Sequence, residues 1–184
     1  SKFAGELYVK VFHKIYNLPT VIVRPFNIFG PRAHLTGFYS SVIPRFILRA
    51  LNRKALPIFG SGKQTRDFSY VEDTVNGILL ASENERLIGD VVNIASGTER
   101  SIISVADLID EILGFRSERK FLPPRPGDVN RLYADISKAR RILKFEPKFS
   151  FKDGMKLYID YLRKINKSIR RKNQDDVNYK FYVE

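Results

Sequence analysis

Cysteine is absent from the 184 residues, which excludes a disulfide framework, thiolate metal ligation and a thiol nucleophile. Histidine occurs only as His13 and His34, too few for a histidine-built metal cluster, and no metal site is expected. No apolar run approaches the roughly 20 residues that span a bilayer, so no membrane partner is expected either. Lys2, Glu6 and Lys10 interrupt the opening turns as a secretory leader would not, and a cytoplasmic location is the default expectation. The stretch "GSGKQTR" (60–66) suggests a phosphate-binding P-loop, but that pattern fails at two required positions. Its first glycine falls on Pro57, and the magnesium-binding hydroxyl after the lysine falls on Gln64. No glycine-rich dinucleotide turn follows any predicted strand.

An apolar content of 43% is enough for a core and speaks against wholesale disorder. The length suits about one domain. A formal charge of +12 can mark a nucleic-acid binder. The basic residues are spread along the chain, however, with no patterned stripe interleaved with stacking aromatics, and no nucleic-acid partner is expected. The densest basic cluster, "RKINKSIRRK" (163–172), reads as a solvated helical face or tail.

Phe3, Leu7, Val11 and Ile15 repeat every four residues and predict a helix over 2–16, ended by Asn17 and Pro19. "TVIVR" (20–24) follows as a short β-branched strand that looks fully buried. The connection 25–41 is long and rich in proline, glycine and aromatics, too long to be idle. A helix over 42–52 tolerates Pro44 in its first turn. Strands are predicted at 55–60, 66–71 and 90–95, with helices at 72–83 and 104–115, the latter capped by Ser104 with Asp107 at N3. A rigid loop at 122–128 precedes a short helix capped by Ser137, and a last helix occupies roughly 151–168. Alternating elements give an α/β class. Two strands of the buried parallel type, "TVIVR" and "VVNIA", cannot make a doubly covered sheet alone, so further strands are expected upstream.

Six segments stand in an order that resembles the carboxyl-terminal half of the extended short-chain dehydrogenase/reductase family, the nucleotide-sugar epimerases and dehydratases. They are "SKFAGE", "VIVRPFNIFGPR", "FYSSVIPRFI", "LPIFGSGKQTRDFSYVEDTVNGI", "VVNIASG" and "RPGDVNRLYADISKARRILKFEP". Within the family the chain is most similar to UDP-glucose 4-epimerases. The resemblance implies the end of a Rossmann-type parallel sheet plus a smaller α/β substrate domain over 1–163. A basic tail follows at 164–184, and the NAD-binding portion lies outside this chain.

The resemblance also implies roles. "SK" looks like the end of a Tyr-x-x-x-Lys motif, so Lys2 would contact the nicotinamide ribose and lower the pKa of a tyrosine ahead of Ser1. Pro25 is expected beside the same cofactor, NAD. Asn27 resembles the asparagine that binds the diphosphate region of the substrate. Pro57 and Phe59 resemble strand residues lining the base, Gly60 to Gly62 turn the chain, and Lys63 faces solvent. Arg66 and Arg125 resemble two diphosphate ligands, and Asp128 a carboxylate accepting from ribose hydroxyls. Ser41, Val42 and Ile102 occupy positions that approach the nucleotide. Leu132 stands where epimerases carry a tyrosine, which leaves the sugar open.

The implied activity is C4 epimerisation of a UDP-sugar (or dTDP-sugar) by oxidation and re-reduction. The alternatives are a dTDP- or GDP-sugar 4,6-dehydratase, a UDP-glucuronate decarboxylase or a non-catalytic nucleotide-sugar binding module. Residues 1–184 alone are expected to be inactive and to hold NAD weakly. A homodimer through helix 2–16 is expected.

Overall fold

The computed structural model describes residues 1–35 and 41–172, with side chains as far as residue 165. Among them run α1 (Lys2–Tyr16), β1 (Ile22–Pro25), β2 (Ile28–Phe29), α2 (Val42–Leu51), β3 (Leu56–Phe59), β4 (Thr65–Asp67) and β5 (Ser69–Tyr70). There follow α3 (Val71–Ser82), β6 (Val91–Ile94), β7 (Glu99–Ser101), α4 (Ile102–Leu113), β8 (Arg119–Leu122), β9 (Arg131–Leu132), α5 (Ser137–Leu143) and α6 (Phe151–Lys172). The α/β class is as expected. The contacts divide into two compact units: Ser1–Ile28, Asp67–Thr98 and Tyr133–Lys148 form one, and Phe29–Arg66, Glu99–Leu132 and the chain from Phe149 form the other. The chain passes back and forth between them, so no single linker marks a boundary. The expected boundary at 163/164 falls inside α6, and residues 173–184 of the expected tail lie outside the described residues.

In the first unit β1 and β6 pair in parallel, Ile22 opposite Val91 through Pro25 opposite Ile94. Val92 and Ile94 pack with Ala81 of α3, Leu87, Ala139 and Leu143 of α5, and Phe145. The helix lies close because Gly77 has no side chain; a Cβ there would meet Ile94 at 2.5 Å. β1 is less buried than its composition predicts, with Ile22 and Val23 half-buried and Arg24 and Pro25 exposed. Among the described residues it has a strand neighbour, β6, on one edge only, so its other flank is uncovered. Glu6 of α1 is buried and takes both oxygens to Arg24 at 2.7 and 2.8 Å. α1 ends on Asn17 in the left-handed region, as its sequence predicts. His13 bonds the Leu18 carbonyl at 2.7 Å, a structural histidine.

In the second unit β3 pairs with β8 in parallel, Leu56 opposite Arg119 through Phe59 opposite Leu122. β4 lies between β7 and β9. α2 turns Ile43, Phe46, Ile47 and Ala50 inward and packs on α4, α6 and β3. Two caps differ from expectation. α4 starts at Ile102, and it is Ser101, still extended at the end of β7, that accepts from the Ser104 N–H. Ser137 is the first helical residue of α5, and its N–H is held by the Asp135 carboxylate. In both places the preceding strand or turn delivers the oxygen two or three positions earlier than helical periodicity alone indicates.

Candidate nucleotide-binding site

β3 ends in a turn whose geometry demands glycine. Gly60 and Gly62 have φ of 65° and 71°, a region that other residues enter at a steric cost. Gln64 reaches back from the turn to the Phe59 carbonyl at 2.8 Å, and Lys63 stays exposed. The turn hands the chain to β4, whose second residue is Arg66. Its guanidinium donates from Nη1 to the Val129 and Thr65 carbonyls at 2.8 and 2.7 Å, and from Nη2 to the Asp128 carboxylate. The Arg66 side chain is only 13% exposed, that of Asp128 32%.

The loop after β8 folds on itself at Gly127, where the Asp128 N–H meets the Arg125 carbonyl at 3.2 Å. This brings the Arg125 guanidinium 3.8 Å above the Phe59 ring. Phe59, Gly60, Lys63, Pro124, Arg125 and Asp128 border one cavity of about 370 Å³. Lys63 and Arg125 border it beside the single carboxylate of Asp128, which is held by Arg66, a residue that does not itself border the cavity; the positive charge in excess suits an anionic ligand.

The structure therefore brings together four residues singled out in the sequence: Phe59, Arg66, Arg125 and Asp128. Arg125 and Asp128 meet through their backbone, and the Asp128 carboxylate pairs with Arg66. Pro57 shares a strand face with Phe59 but does not border the cavity. Nor do Ser41 and Val42, at the start of α2, or Ile102, which is 8% exposed and donates its N–H to the Gln64 carbonyl.

The remaining candidates stand in the first unit. Lys2 is exposed in the first turn of α1, and Pro25 is exposed at the carboxyl end of β1. Asn27 has φ of 26° and donates its side-chain amide to the Asp67 carbonyl at 2.9 Å. That contact is the turn-forming role open to any asparagine, and it uses one of two amide hydrogens.

Two residues escape sequence reading. Arg45 of α2 sits close enough to Arg125 for charge to matter: burial first, then the Arg125 and Arg49 charges, hold its guanidinium below the ordinary arginine range. Its place three residues after Val42 was the available signal. Asp67 is wholly buried and accepts from the Ser96 N–H and hydroxyl and the Gly97 N–H at 2.6–3.1 Å. It ties the turn after β6 to the residue beside Arg66. Its donors lie about thirty residues away in sequence, beyond any local pattern.

Among the described residues no group of three His, Asp or Glu side chains could hold a metal ion, and no helix is long and apolar enough to cross a membrane.

A profile of the NAD dependent epimerase/dehydratase family matches residues 1–95. The chain is 36% identical over 162 residues to an uncharacterized UDP-glucose epimerase of Bacillus subtilis, YtcB, covering 88% of this chain and 50% of that protein. It is 38% identical over 164 residues to UDP-glucuronic acid decarboxylase 1 of Xenopus tropicalis, covering 89% and 38%. The crystal structure of UDP-glucose 4-epimerase with UDP-glucose from Thermotoga maritima superposes with a TM-score of 0.85 at 36% identity, covering 90% of this chain and 52% of that one. The chain thus spans about half the length of the epimerases it matches or less.

Proposed function

The chain belongs to the NAD-dependent epimerase/dehydratase family, and on that premise we propose that it is the nucleotide-sugar-binding portion of an enzyme of the UDP-glucose 4-epimerase type. The observation that carries this reading is the meeting of Arg125, Asp128 and Phe59 at one cavity, with Arg66, 59 residues before Arg125 in sequence, bound to Asp128 and Val129 of its lining. Planar guanidinium forks match pairs of phosphate oxygens, so the two arginines fit a diphosphate. Asp128 supplies an acceptor for ribose hydroxyls, and Phe59 an apolar ring for the base. The Leu56 and Gly60 N–H groups bond β8. Strand alternation therefore turns the Pro57 carbonyl and Phe59 N–H to the opposite edge, an acceptor and a donor that suit the imide edge of a pyrimidine.

Binding the nucleotide there anchors the substrate at a point remote from the reacting carbon, and such binding energy can be spent on orienting the sugar. In the first unit, Lys2 and Pro25 lie at the start of α1 and at the carboxyl end of β1. The carboxyl ends of parallel strands are where such sheets place dinucleotides, so the residues present fit NAD. Bound NAD supplies the oxidation at sugar C4 and the reduction that reverses it. With NAD in place Lys2 would contact its ribose, and its charge would favour the phenolate of the tyrosine that the Tyr-x-x-x-Lys resemblance implies, readying it to take the 4-hydroxyl proton. No glycine-rich dinucleotide turn is present in the 184 residues, so these residues alone neither bind NAD tightly nor epimerise. α1 exposes Phe3, Tyr8, Ile15 and Tyr16, each more than 60% accessible. Such an apolar surface suits association, and we place a homodimer contact there.

Isothermal titration of residues 1–184 tests the reading: UDP and UDP-glucose bind and GDP-mannose does not. Absence of UDP binding overturns it, and so does tight NAD binding by these residues. A second reading, UDP-glucuronate decarboxylase, is favoured by the 38% identity to the Xenopus enzyme. Carbon dioxide release from UDP-glucuronate by the full-length protein separates the two.

A further inference from the structure

Arg125 stands in a position at odds with the task of gripping phosphate. Its guanidinium carbon lies 3.8 Å from the centroid of the Phe59 ring, a contact distance that leaves no room for another planar group between them. Both side chains border the same cavity, so the guanidinium covers one face of a ring that adjoins the ligand space. The ring that would receive a base is already occupied by the protein's own cation.

Two features explain why Arg125 rests there. A guanidinium over an aromatic face is attracted by the ring quadrupole. Arg125 also has like-charged company, because Arg45 is near enough to feel its charge and Arg66 is fastened a short way along the same loop through Asp128 and Val129. The Arg45 and Arg125 charges repel, and the Phe59 face offers the Arg125 guanidinium a compensating attraction. The loop permits a swing: Pro124, Arg125 and Asp128 are exposed, Gly127 has φ of 76°, and a Cβ on Gly127 would meet nothing within 4 Å.

We propose that Arg125 is a gate that makes the site selective for nucleoside diphosphates over nucleosides: it covers the Phe59 ring until a diphosphate draws it off, uncovering the ring for the base. This rests on the nucleotide reading given above and extends it. A nucleoside alone must displace Arg125 with nothing to offer it. A nucleoside diphosphate gives the same guanidinium a better partner while its base takes the vacated ring.

The gate predicts effects of opposite sign from one substitution. In Arg125→Ala the ring is permanently uncovered, and an exposed cation–π contact converts to a gain of about two- to five-fold in uridine affinity. The same variant loses a charge-assisted phosphate contact, so its UDP affinity falls by about ten-fold or more. Both are read by NMR shift titration with uridine and UDP. A direct readout accompanies them: the Arg125 side-chain protons lie in the ring current of Phe59 and resonate upfield in the free protein. Phe59→Leu abolishes that displacement. UDP relaxes it in the wild type and uridine at the same occupancy relaxes it with far weaker affinity. If the wild type binds UDP but Arg125→Ala weakens uridine as well, or UDP leaves the Arg125 resonances displaced, the gate is refuted while the nucleotide site stands. If the wild type binds no UDP, both fall.

Discussion

Replacing Arg66 by lysine separates the shape of the cation from its charge. Arg66 uses a planar fork: one terminal nitrogen serves two carbonyls, at 2.7 and 2.8 Å, and the other serves Asp128. A lysine ammonium is a point charge that cannot span the same partners and two phosphate oxygens together. One lost charge-assisted bond is worth about 1.5–3 kcal/mol, so Arg66→Lys weakens UDP binding by about ten- to 150-fold. The fold suffers less. With Asp128 32% exposed, water takes over much of what the arginine gave, and the pair contributes about 1 kcal/mol or less. That is a fall of about 2–4 °C in Tm for a chain this long. Titration calorimetry with UDP and with uridine, beside thermal melts, makes the measurement. The charge count is unchanged, so the salt dependence of UDP binding stays near that of the wild type. An unaltered UDP affinity would show that the fork is not what grips phosphate. Equal losses for uridine and UDP would assign Arg66 to the fold or to the base.

Gly77→Ala tests how closely α3 rests on β6. The new methyl would lie 2.5 Å from Ile94 Cγ2 and 3.1 Å from Phe145 Cε2, and overpacking costs of about 1–3 kcal/mol exceed the helix-propensity gain of about 1 kcal/mol; a Tm that rises refutes the close packing. Glu6 makes an acid-side prediction. The Arg24 guanidinium, and to a lesser degree Lys10, hold its carboxyl below the ordinary 4.5. A carboxylate with a lowered folded-state pKa stabilises the fold above its unfolded value and ceases to as the pH falls through the folded one. The Tm advantage of wild type over Glu6→Gln is therefore full at neutral pH and closes below pH 4.5; a gap that is the same at all pH values sinks the ion-pair account.

How much was legible in advance differs by element. The helices over 2–16 and 72–83, and the strands predicted at 20–24 and 90–95 and found at 22–25 and 91–94, follow from periodicity and β-branched runs because those patterns are local. β8 (Arg119–Leu122), β7 and β9 were not foreseen. They are two to four residues long, and their pairing energy comes from strands that are remote in sequence, with no pattern of their own. The same divide runs through the site. The turn at 60–62 could be argued from "GSGKQTR", and the phosphate role proposed for Arg66 from the family resemblance. The pairing of Asp128 with Arg66, and not with its neighbour Arg125, could not.

Residue order alone determined the α/β class, the family and the candidates Phe59, Arg66, Arg125 and Asp128, because glycine turns, apolar periods and motif spacing act over short stretches of chain. Only the tertiary structure decided who pairs with whom: Asp128 with Arg66, Arg125 with Phe59, Arg45 within reach of Arg125. Charges and rings choose partners by distance in space, and that distance is set by how β3, β4 and the loop after β8 pack together.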